Sequence, residues 1–496
     1  MQLSKSLYTR GLQCVKSLWL KKYKKDVLTT PDDNAQAIFD NGNEIGDLAC
    51  KLFPNGVEIP YANTSFDDKI ALTQDLINSG QKVIYEATFK YDGILVMVDI
   101  FIIEDDVVTI NEVKSSTEVK DVYIDDASIQ YYVLNGLGYS IRQVNIIHIN
   151  NQYVRGDELD IKQLFVIADV TDKVLEKQQE IPNNLKYFNK ILQNKENEPN
   201  MDIGTHCSSP YYCDGAEYCW YIQKQIPQYS IFNISRLRSD KKFELYRNGI
   251  INFCDIPSNM SFSLSQHIQI QSELSQEEII NKEAIKAFLD TITYPVYHLD
   301  FETFQQSVPQ YKGISPYQQI PFQYSIHKDD GKGNLEHFEF LAQVGIDPRY
   351  ELAKSLVRDI PKDVTVLAYN MGFEKGVIRK LANEFSEFTY DLMAIHDNIK
   401  DLMIPFQNKD YYHPKMKGSY SIKYILPALV PEFESAYHDL HLVHNGGEAM
   451  EAFANMTKMS QEEQKAYRDS LIEYCKLDTL AMVNILEKLK ESVKWM

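Results

Sequence analysis

The stretch that decides the fold runs from Val83 to Ser116: VIYEATFKYDG over 83–93, ILVMVDIFII over 94–103 and VVTINEVKSS over 107–116. β-Branched and aromatic residues dominate all three pieces, and Asp92-Gly93 and Glu104-Asp105-Asp106 punctuate them, which predicts three successive strands. Asp99 interrupts the most apolar of the three. A buried carboxylate is costly unless it binds a cation or finds donors. On the next strand Glu112 and Lys114 lie two apart and project from one face, so a hairpin brings Asp99 against them. Two carboxylates and an ammonium suit phosphodiester hydrolysis: the acids hold Mg²⁺ or Mn²⁺, and Lys114 orients the attacking water or neutralises developing charge. A helix over 126–137 follows, with Gln130 placed to contact DNA or the water, and then a strand over Val144–His148. The plain alternative for a bare D…ExK pattern is an edge hairpin with a solvated Glu–Lys pair.

Working outward, 496 residues are enough for two to four domains, each with its own core. With 44% hydrophobic and 24% charged residues and only 21 Gly and 18 Pro, the chain is globular rather than disordered or collagen-like. The longest apolar run is broken by Asp99 and falls short of about 18 residues, so no membrane span is expected. No apolar segment follows the basic start, which argues against a signal peptide and for a cytoplasmic protein. The net charge of −19 speaks against a nucleic-acid binder, whose usual footprint is basic. Its distribution speaks otherwise: seven Lys and Arg residues precede the first acid, Asp26, so residues 1–25 carry +7. Those residues read as one basic amphipathic helix, and Asp32–Leu52 as another.

Seven cysteines are too few for a disulfide scaffold. Cys207, Cys213 and Cys219 are evenly spaced in THCSSPYYCDGAEYCW, without the CxxC of a common zinc ribbon. Cys14, in LYTRGLQCVKSLWL, is the best candidate for a fourth ligand. Four thiolates suit an iron–sulfur cluster or a structural Zn²⁺; three unconnected loop cysteines are the alternative. Cys50, Cys254 and Cys475 read as core residues.

A second constellation occupies the C-terminal part. YPVYHLDFETF is an apolar strand that carries Asp300 and Glu302 on one face. VTVLAYNMGFEKGVIRKLA reads as a strand entering a helix, with Asn370 and Glu374 at the junction. LIEYCKLDTLAMVNILEKL is helical, and its Tyr474 and Asp478 share a face. Four carboxylates from separate segments suit two metal ions about 4 Å apart, the arrangement for in-line phosphoryl displacement, with Tyr474 orienting the water. His298 reads as a satisfied strand histidine and His413, in YYHPK, as either a turn residue or a substrate contact. SELSQEEIINKEAIKAFLD predicts a helix with capping-box character. The 12% aromatic content offers base-stacking platforms, although most aromatics serve the core. No Walker A loop is present.

The strand with Asp99, the 12-residue gap to Glu112, the ensuing helix with Gln130 and the flanking cysteines closely resemble the RecB-like PD-(D/E)XK nucleases over residues 1–225. The CRISPR-associated RecB-like exonucleases among them hold a [4Fe-4S] cluster with one early and three late cysteines, which match Cys14, Cys207, Cys213 and Cys219. The resemblance implies a restriction-endonuclease-like fold and a cluster that staples the domain's two ends. The chain departs from it at position 134, where Leu replaces a frequent Tyr (Tyr131 and Tyr132 adjoin Gln130), and in lacking an early metal-binding His, for which Glu44 in GNEIGDLACKLFPNG stands in.

Asp300 and Glu302 on a strand, N-x-x-F-E at a helix start and Y-x-x-x-D on a late helix resemble the DEDD exonucleases of RNase H-like fold, in their tyrosine-bearing subtype. Glu374 stands where Asp is usual. Asp401 in KDLMIPF and the stretch GSYSIKYILPAL, with Ser421 and Lys423 facing a nucleic-acid backbone, are similar to the region before the last motif. The segment from 295 on, with PYQQIPFQYSIH and YYHPKMKGSYSIKYILPAL, also looks very like a bacterial domain family without assigned function that is commonly fused behind RecB-like nucleases. The expectation is an α/β protein: a RecB-like domain at 1–225, a connector at 226–290 and an RNase H-like domain at 291–496. The expected activity is that of a metal-dependent nuclease on DNA, with a 3′–5′ exonuclease on DNA or RNA in the second half, in repair or defence. The rival expectation is a nucleic-acid-binding protein in which one or both nuclease folds are catalytically inactive.

Overall fold

A computed structural model describes residues 3–30, 33–60, 62 and 64–494. The chain is mixed α/β and divides into two compact units. The first comprises residues 1–226 and 306–318, the second 227–305 and 319–496.

The first unit is built on a seven-stranded sheet. Its strands are β1 (Leu3–Ser4), β2 (Val57–Glu58), β3 (Val83–Tyr91), β4 (Ile94–Glu104), β5 (Val107–Lys114), β6 (Ser140–Ile149) and β7 (Phe165–Asp169). They follow the order β2-β3-β4-β5-β6-β7, with β1 paired parallel to the start of β4. The three strands expected from 83–116 form an antiparallel meander. Two helices precede it, α3 (Asp33–Cys50) and α4 (Phe66–Asn78); Thr73 of α4 accepts from Thr88 N of β3 at 3.0 Å. β6 pairs parallel to β5, which requires a crossover. Helix α5 (Asp121–Gly136) supplies it. One apolar cluster packs α5 on Val96, Val98, Phe101 and Ile110. Another packs Ile45 and Ala49 of α3 on Ile100, Ile147 and Ile149.

Residues 306–318 complete this unit. Arg155 and the segment exchange backbone hydrogen bonds: Arg155 N donates to the Ile314 carbonyl at 3.0 Å, and Gly313 N donates to the Arg155 carbonyl at 2.8 Å. Val308 and Tyr317 pack against the second cluster, and the Tyr317 hydroxyl donates to the Ser115 carbonyl.

The second unit contains a five-stranded sheet of β9 (Val296–Phe304), β10 (Ile320–Asp329), β11 (Leu335–Leu341), β12 (Thr365–Ala368) and β13 (Ile399–Asp401), together with a short ribbon of β8 (Ile279–Ile280) and β14 (Tyr411–Tyr412). The large sheet runs β11-β10-β9-β12-β13. Its first three strands are mutually antiparallel, and β12 and β13 run parallel to β9. Val366 and Ala368 of β12 face one cluster and Leu367 faces another, as expected of a strand buried on both faces. The second cluster is closed by the 33-residue C-terminal helix α6 (Gln461–Val493), started by a Ser460/Glu463 capping box.

Three local expectations change. The basic helix over 1–25 is two helices, α1 (Lys5–Gln13) and α2 (Val15–Tyr23). The break is Cys14, extended at φ −161° and ψ 113°, whose sulfur accepts from Ser17 N at 3.4 Å and so starts α2. Residues 272–290 are not one helix: the chain turns at Gln276 (φ +58°), and Ile279-Ile280 form β8 before Asn281 caps a new helix, Lys282–Leu289. Pairing of two β-branched residues with Tyr411-Tyr412 outweighs their helical neighbours there. Finally, residues 227–290 do not stand apart as a connector. They cluster with the second unit, and Ile285 is part of its core. Among the described residues no helix is long and apolar enough to cross a membrane.

Candidate functional site

In the first unit, neighbouring strands bring the predicted acids into one row. The pairs Tyr85↔Ile100 and Ala87↔Val98 flank Glu86 and Asp99, and Ile100↔Asn111 sets Glu112 beside Asp99 on the other side. Glu86, Asp99 and Glu112 thus lie across β3, β4 and β5. Like charges opposite one another destabilise a sheet, so such a row needs cations. Two are in place. Lys114 Nζ lies 2.7 Å from Glu112 and 2.7 Å from Asp126. Lys5, delivered by β1 to the first residue of α1, reaches Glu112 at 2.6 Å, Asp126 at 3.8 Å and Asp99 at 3.9 Å. Gln130 Nε2 donates to Glu112 Oε2 at 2.7 Å, and Val113 N donates to Asp99 Oδ2 at 2.7 Å.

The electrostatics divide the acids. Burial alone would raise the Glu112 carboxyl, but Lys114 and Lys5 outweigh it and hold it well below the usual carboxylate range. Burial, aided by the charge on Glu112, pushes Asp99 up to about 7. Burial also raises Asp126 and Glu86. Two carboxylates held this closely titrate as a unit.

Asp99, Glu112, Lys114 and Gln130 therefore converge. Glu44 does not join them: it is exposed on α3, and among the described residues nothing ties it to the set. Sequence reading missed Lys5, Glu86 and Asp126. Asp126 was legible as the residue four before Gln130 on the same helical face. Glu86 offered the same signal as Asp99, an acid within an apolar strand; here it adopts φ +57°, which is unusual for a non-glycine residue.

Cys14, Cys207, Cys213 and Cys219 line a single small cavity together with Met201, Ile203 and Gly215. A Cβ on Gly215 would sit 3.7 Å from the Cys213 sulfur and 3.2 Å from Leu20. Burial raises the Cys14 thiol and pushes Cys219 up to about 11, so thiolates here need a metal to hold their charge. A tetrahedral Zn²⁺ with bonds of about 2.3 Å draws its sulfurs to about 3.8 Å of one another. Among the described residues, however, no three of these cysteines form a group with sulfurs all within 4.8 Å; the one group that tight is carboxylate.

That group is in the second unit: Asp300, Glu302 and Asp478. β9 presents Asp300 and Glu302, and α6 brings Asp478. Glu374 lies in the first turn of helix Gly372–Glu384, buried, with Oε2 lacking a hydrogen-bond partner. Burial, reinforced by neighbouring acids, raises Asp300, Glu302 and Glu374 well above the carboxylate range. Burial also pushes Asp478 up to about 6. An acid cluster this strained electrostatically and this dry is suited to divalent cations.

Tyr474 is buried one turn before Asp478 on α6, its ring 6.3 Å from that of Tyr437. The Tyr437 hydroxyl donates to Asp478 Oδ1 at 2.6 Å; sequence reading missed this residue for want of any pattern around it. Lys423 faces Glu302 and Asp478. Asp401 serves the backbone instead. Its Oδ1 accepts from Asn370 N at 3.0 Å and Met403 N at 2.9 Å, fixing the left-handed turn at Asn370 (φ +72°) that leads to Glu374. Ser421 precedes helix Ile422–Leu429 as its N-cap residue without a side-chain cap bond. His413 accepts from Lys415 N. His298 is fully buried, with neither ring nitrogen hydrogen-bonded, unlike the satisfied strand histidine expected.

Comparison with known proteins places residues 297–421 in a match to a domain of unknown function, DUF2779. The match takes in Asp300, Glu302, Glu374 and Asp401. The chain is also similar, at 23% identity over 413 residues, to the uncharacterized protein UU173 of Ureaplasma parvum serovar 3; the match covers 78% of this chain and 55% of that relative, so the chain spans little more than half of the relative's length.

Proposed function

We propose that the protein is a metal-dependent nuclease that hydrolyses phosphodiester bonds in DNA or RNA, with a RecB-like PD-(D/E)XK site in the first unit and an RNase H-like DEDD-type exonuclease site in the second. The observation that carries this reading is the convergence of Asp300, Glu302 and Asp478 with Tyr474 on the last helix. Three acids from two distant segments, with ligand atoms within 4.8 Å, suit Mg²⁺ or Mn²⁺, and Tyr474 is placed to orient a water. The strand order β11-β10-β9-β12-β13 supports the RNase H-like assignment, and the βββαβ run ending in β6 supports the restriction-endonuclease-like one. Glu112, Asp99 and Lys114 would bind the metal and stabilise charge on the phosphate. Cys14, Cys207, Cys213 and Cys219, which line one small cavity, would hold a [4Fe-4S] cluster, or a Zn²⁺ in its place, as a structural cross-link.

The test is cleavage of labelled single- and double-stranded DNA and RNA with Mg²⁺ or Mn²⁺. Lys114→Ala and Asp478→Ala are each expected to lower one component of the activity by at least about 100-fold. If neither reduces cleavage, both assignments fail. One observation favours a second reading for the first unit alone. Lys5 is ion-paired to Glu112 at 2.6 Å and competes with any cation, as in a nucleic-acid-binding module without catalysis. Binding without cleavage, unchanged in Lys5→Met, supports that alternative.

A further inference from the structure

Three of the four carboxylates of the second unit are covered. Glu302 is 7% exposed, Asp478 8% and Glu374 2%. A phosphodiester has to touch what such a set holds, so a cover has to open. The chain between helices Ile422–Leu429 and Gly446–Asn455 provides one. Residues 430–445 contain a single 3₁₀ turn, Pro431–Phe433, and connections of such length without secondary structure are usually functional. The far end is pinned: Leu442 N and Val443 N donate to Ser470 Oγ on α6 at 3.2 and 3.1 Å. The middle is exposed at Glu434, Ser435 and His438. Tyr437 turns inward, donating its hydroxyl proton to Asp478 Oδ1 at 2.6 Å, with Lys423 Nζ 5.6 Å from its ring centre. Among the described residues, this is the one hydrogen bond that ties 434–441 to residues outside 431–441.

We propose that residues 431–441 form a lid over the carboxylates, latched by the Tyr437–Asp478 hydrogen bond and lifted when a nucleic-acid end enters. The proposal rests on the nuclease reading of this unit. Asp478, which accepts from Tyr437, is also one of the three clustered acids that loading of the site calls upon, so substrate entry and unlatching are coupled. Tyr437 is a positioning residue. A hydrogen bond to a charged group, once removed, shifts such an opening equilibrium by about ten-fold or more.

The experiment uses the full chain carrying Lys114→Ala, which silences the first unit. The rate of chymotryptic cutting within 431–441 reports opening. Tyr437→Phe keeps the cutting site and is expected to accelerate cutting about ten-fold without ligand, at an unchanged melting temperature. The parent is expected to reach a similar rate with Mn²⁺ and a single strand ending in a phosphorothioate linkage. In turnover, Tyr437→Phe lowers KM and leaves kcat within about two-fold. Ser470→Ala, which loosens the far anchor, gives a smaller acceleration, about three-fold, and stands in should Tyr437→Phe misfold. Unchanged cutting in these variants overturns the lid, as does a roughly ten-fold loss of kcat at constant KM, which would put Tyr437 in the chemistry. If no cleavage depends on Asp478, the nuclease reading fails while ligand-free cutting still decides the latch.

Discussion

Glu86 shows what one residue can carry. A left-handed conformation at a non-glycine residue costs roughly 1–3 kcal/mol, and here it sits opposite the half-buried Asp99. Glu86→Gly removes both the strain and a like charge. The expected outcome is a first unit that melts about 2–4 °C higher without metal yet cleaves at least about ten-fold more slowly, read by calorimetry and a gel assay in parallel; unchanged cleavage removes Glu86 from the site. In the second unit the signs are set by burial. Asp300, Glu302, Glu374 and Asp478 all have folded-state pKa values raised above their unfolded ones, so the folded state binds more protons and stability falls as pH rises. For Asp478, whose folded value is about 6, the loss begins near its unfolded pKa and is complete above pH 6; the others extend it to higher pH. The chelated protein should therefore melt several degrees lower at about pH 8 than at about pH 5, and Mn²⁺ should restore more at the higher pH. The sequence revealed Asp99, Glu112, Lys114, Asp300, Glu302 and Asp478 because each breaks an apolar pattern with a fixed period. Lys5 was hidden because its place depends on β1 pairing with Ile94 and Leu95, a contact no local pattern announces.

At the scale of elements, α1 joins two chemistries. Its first residue is Lys5, among the carboxylates, and the residue that ends it is Cys14, in the thiol cavity. Gln13 Nε2 also donates to the carbonyls of His206 and Tyr211 at 2.8 and 2.7 Å, and Arg10 pairs with Asp214 at 2.7 Å. Protein isolated without oxygen is expected to carry about four iron atoms per chain. Cys14→Ser should lose them and increase amide exchange over 205–220; zinc in place of iron would overturn the cluster. The strands of 83–116 were legible because turn residues and β-branched runs agree there. The break between α1 and α2 was not, since nothing in LQCVKS opposes a helix; the thiol cap and the pull of the cavity impose it. Ile279-Ile280 failed as helix for the same reason in reverse, their partners Tyr411-Tyr412 lying far along the chain.

For the whole molecule, the sequence placed the major boundary between about 255 and 290, after a first domain ending at 225, whereas the chain divides at Ile226 and again around 306–318; the return of 306–318 was not readable. That segment leaves β9 two residues after Phe304, and only the assembled first unit gives it a binding surface. A fragment of residues 1–226 is expected to melt lower than the same fragment supplied with a 306–318 peptide, because Val308 and Tyr317 then cover the Ile100 cluster; identical melting curves would show the segment to be dispensable. The arrangement also imposes a schedule on synthesis. At roughly 5–20 residues per second, the ribosome needs about 5–20 s after finishing Ile226 before Gln318 exists, and during that interval the first unit waits with apolar surface uncovered. A nascent chain of this protein should accordingly remain a chaperone client well past the point at which its first sheet has been translated.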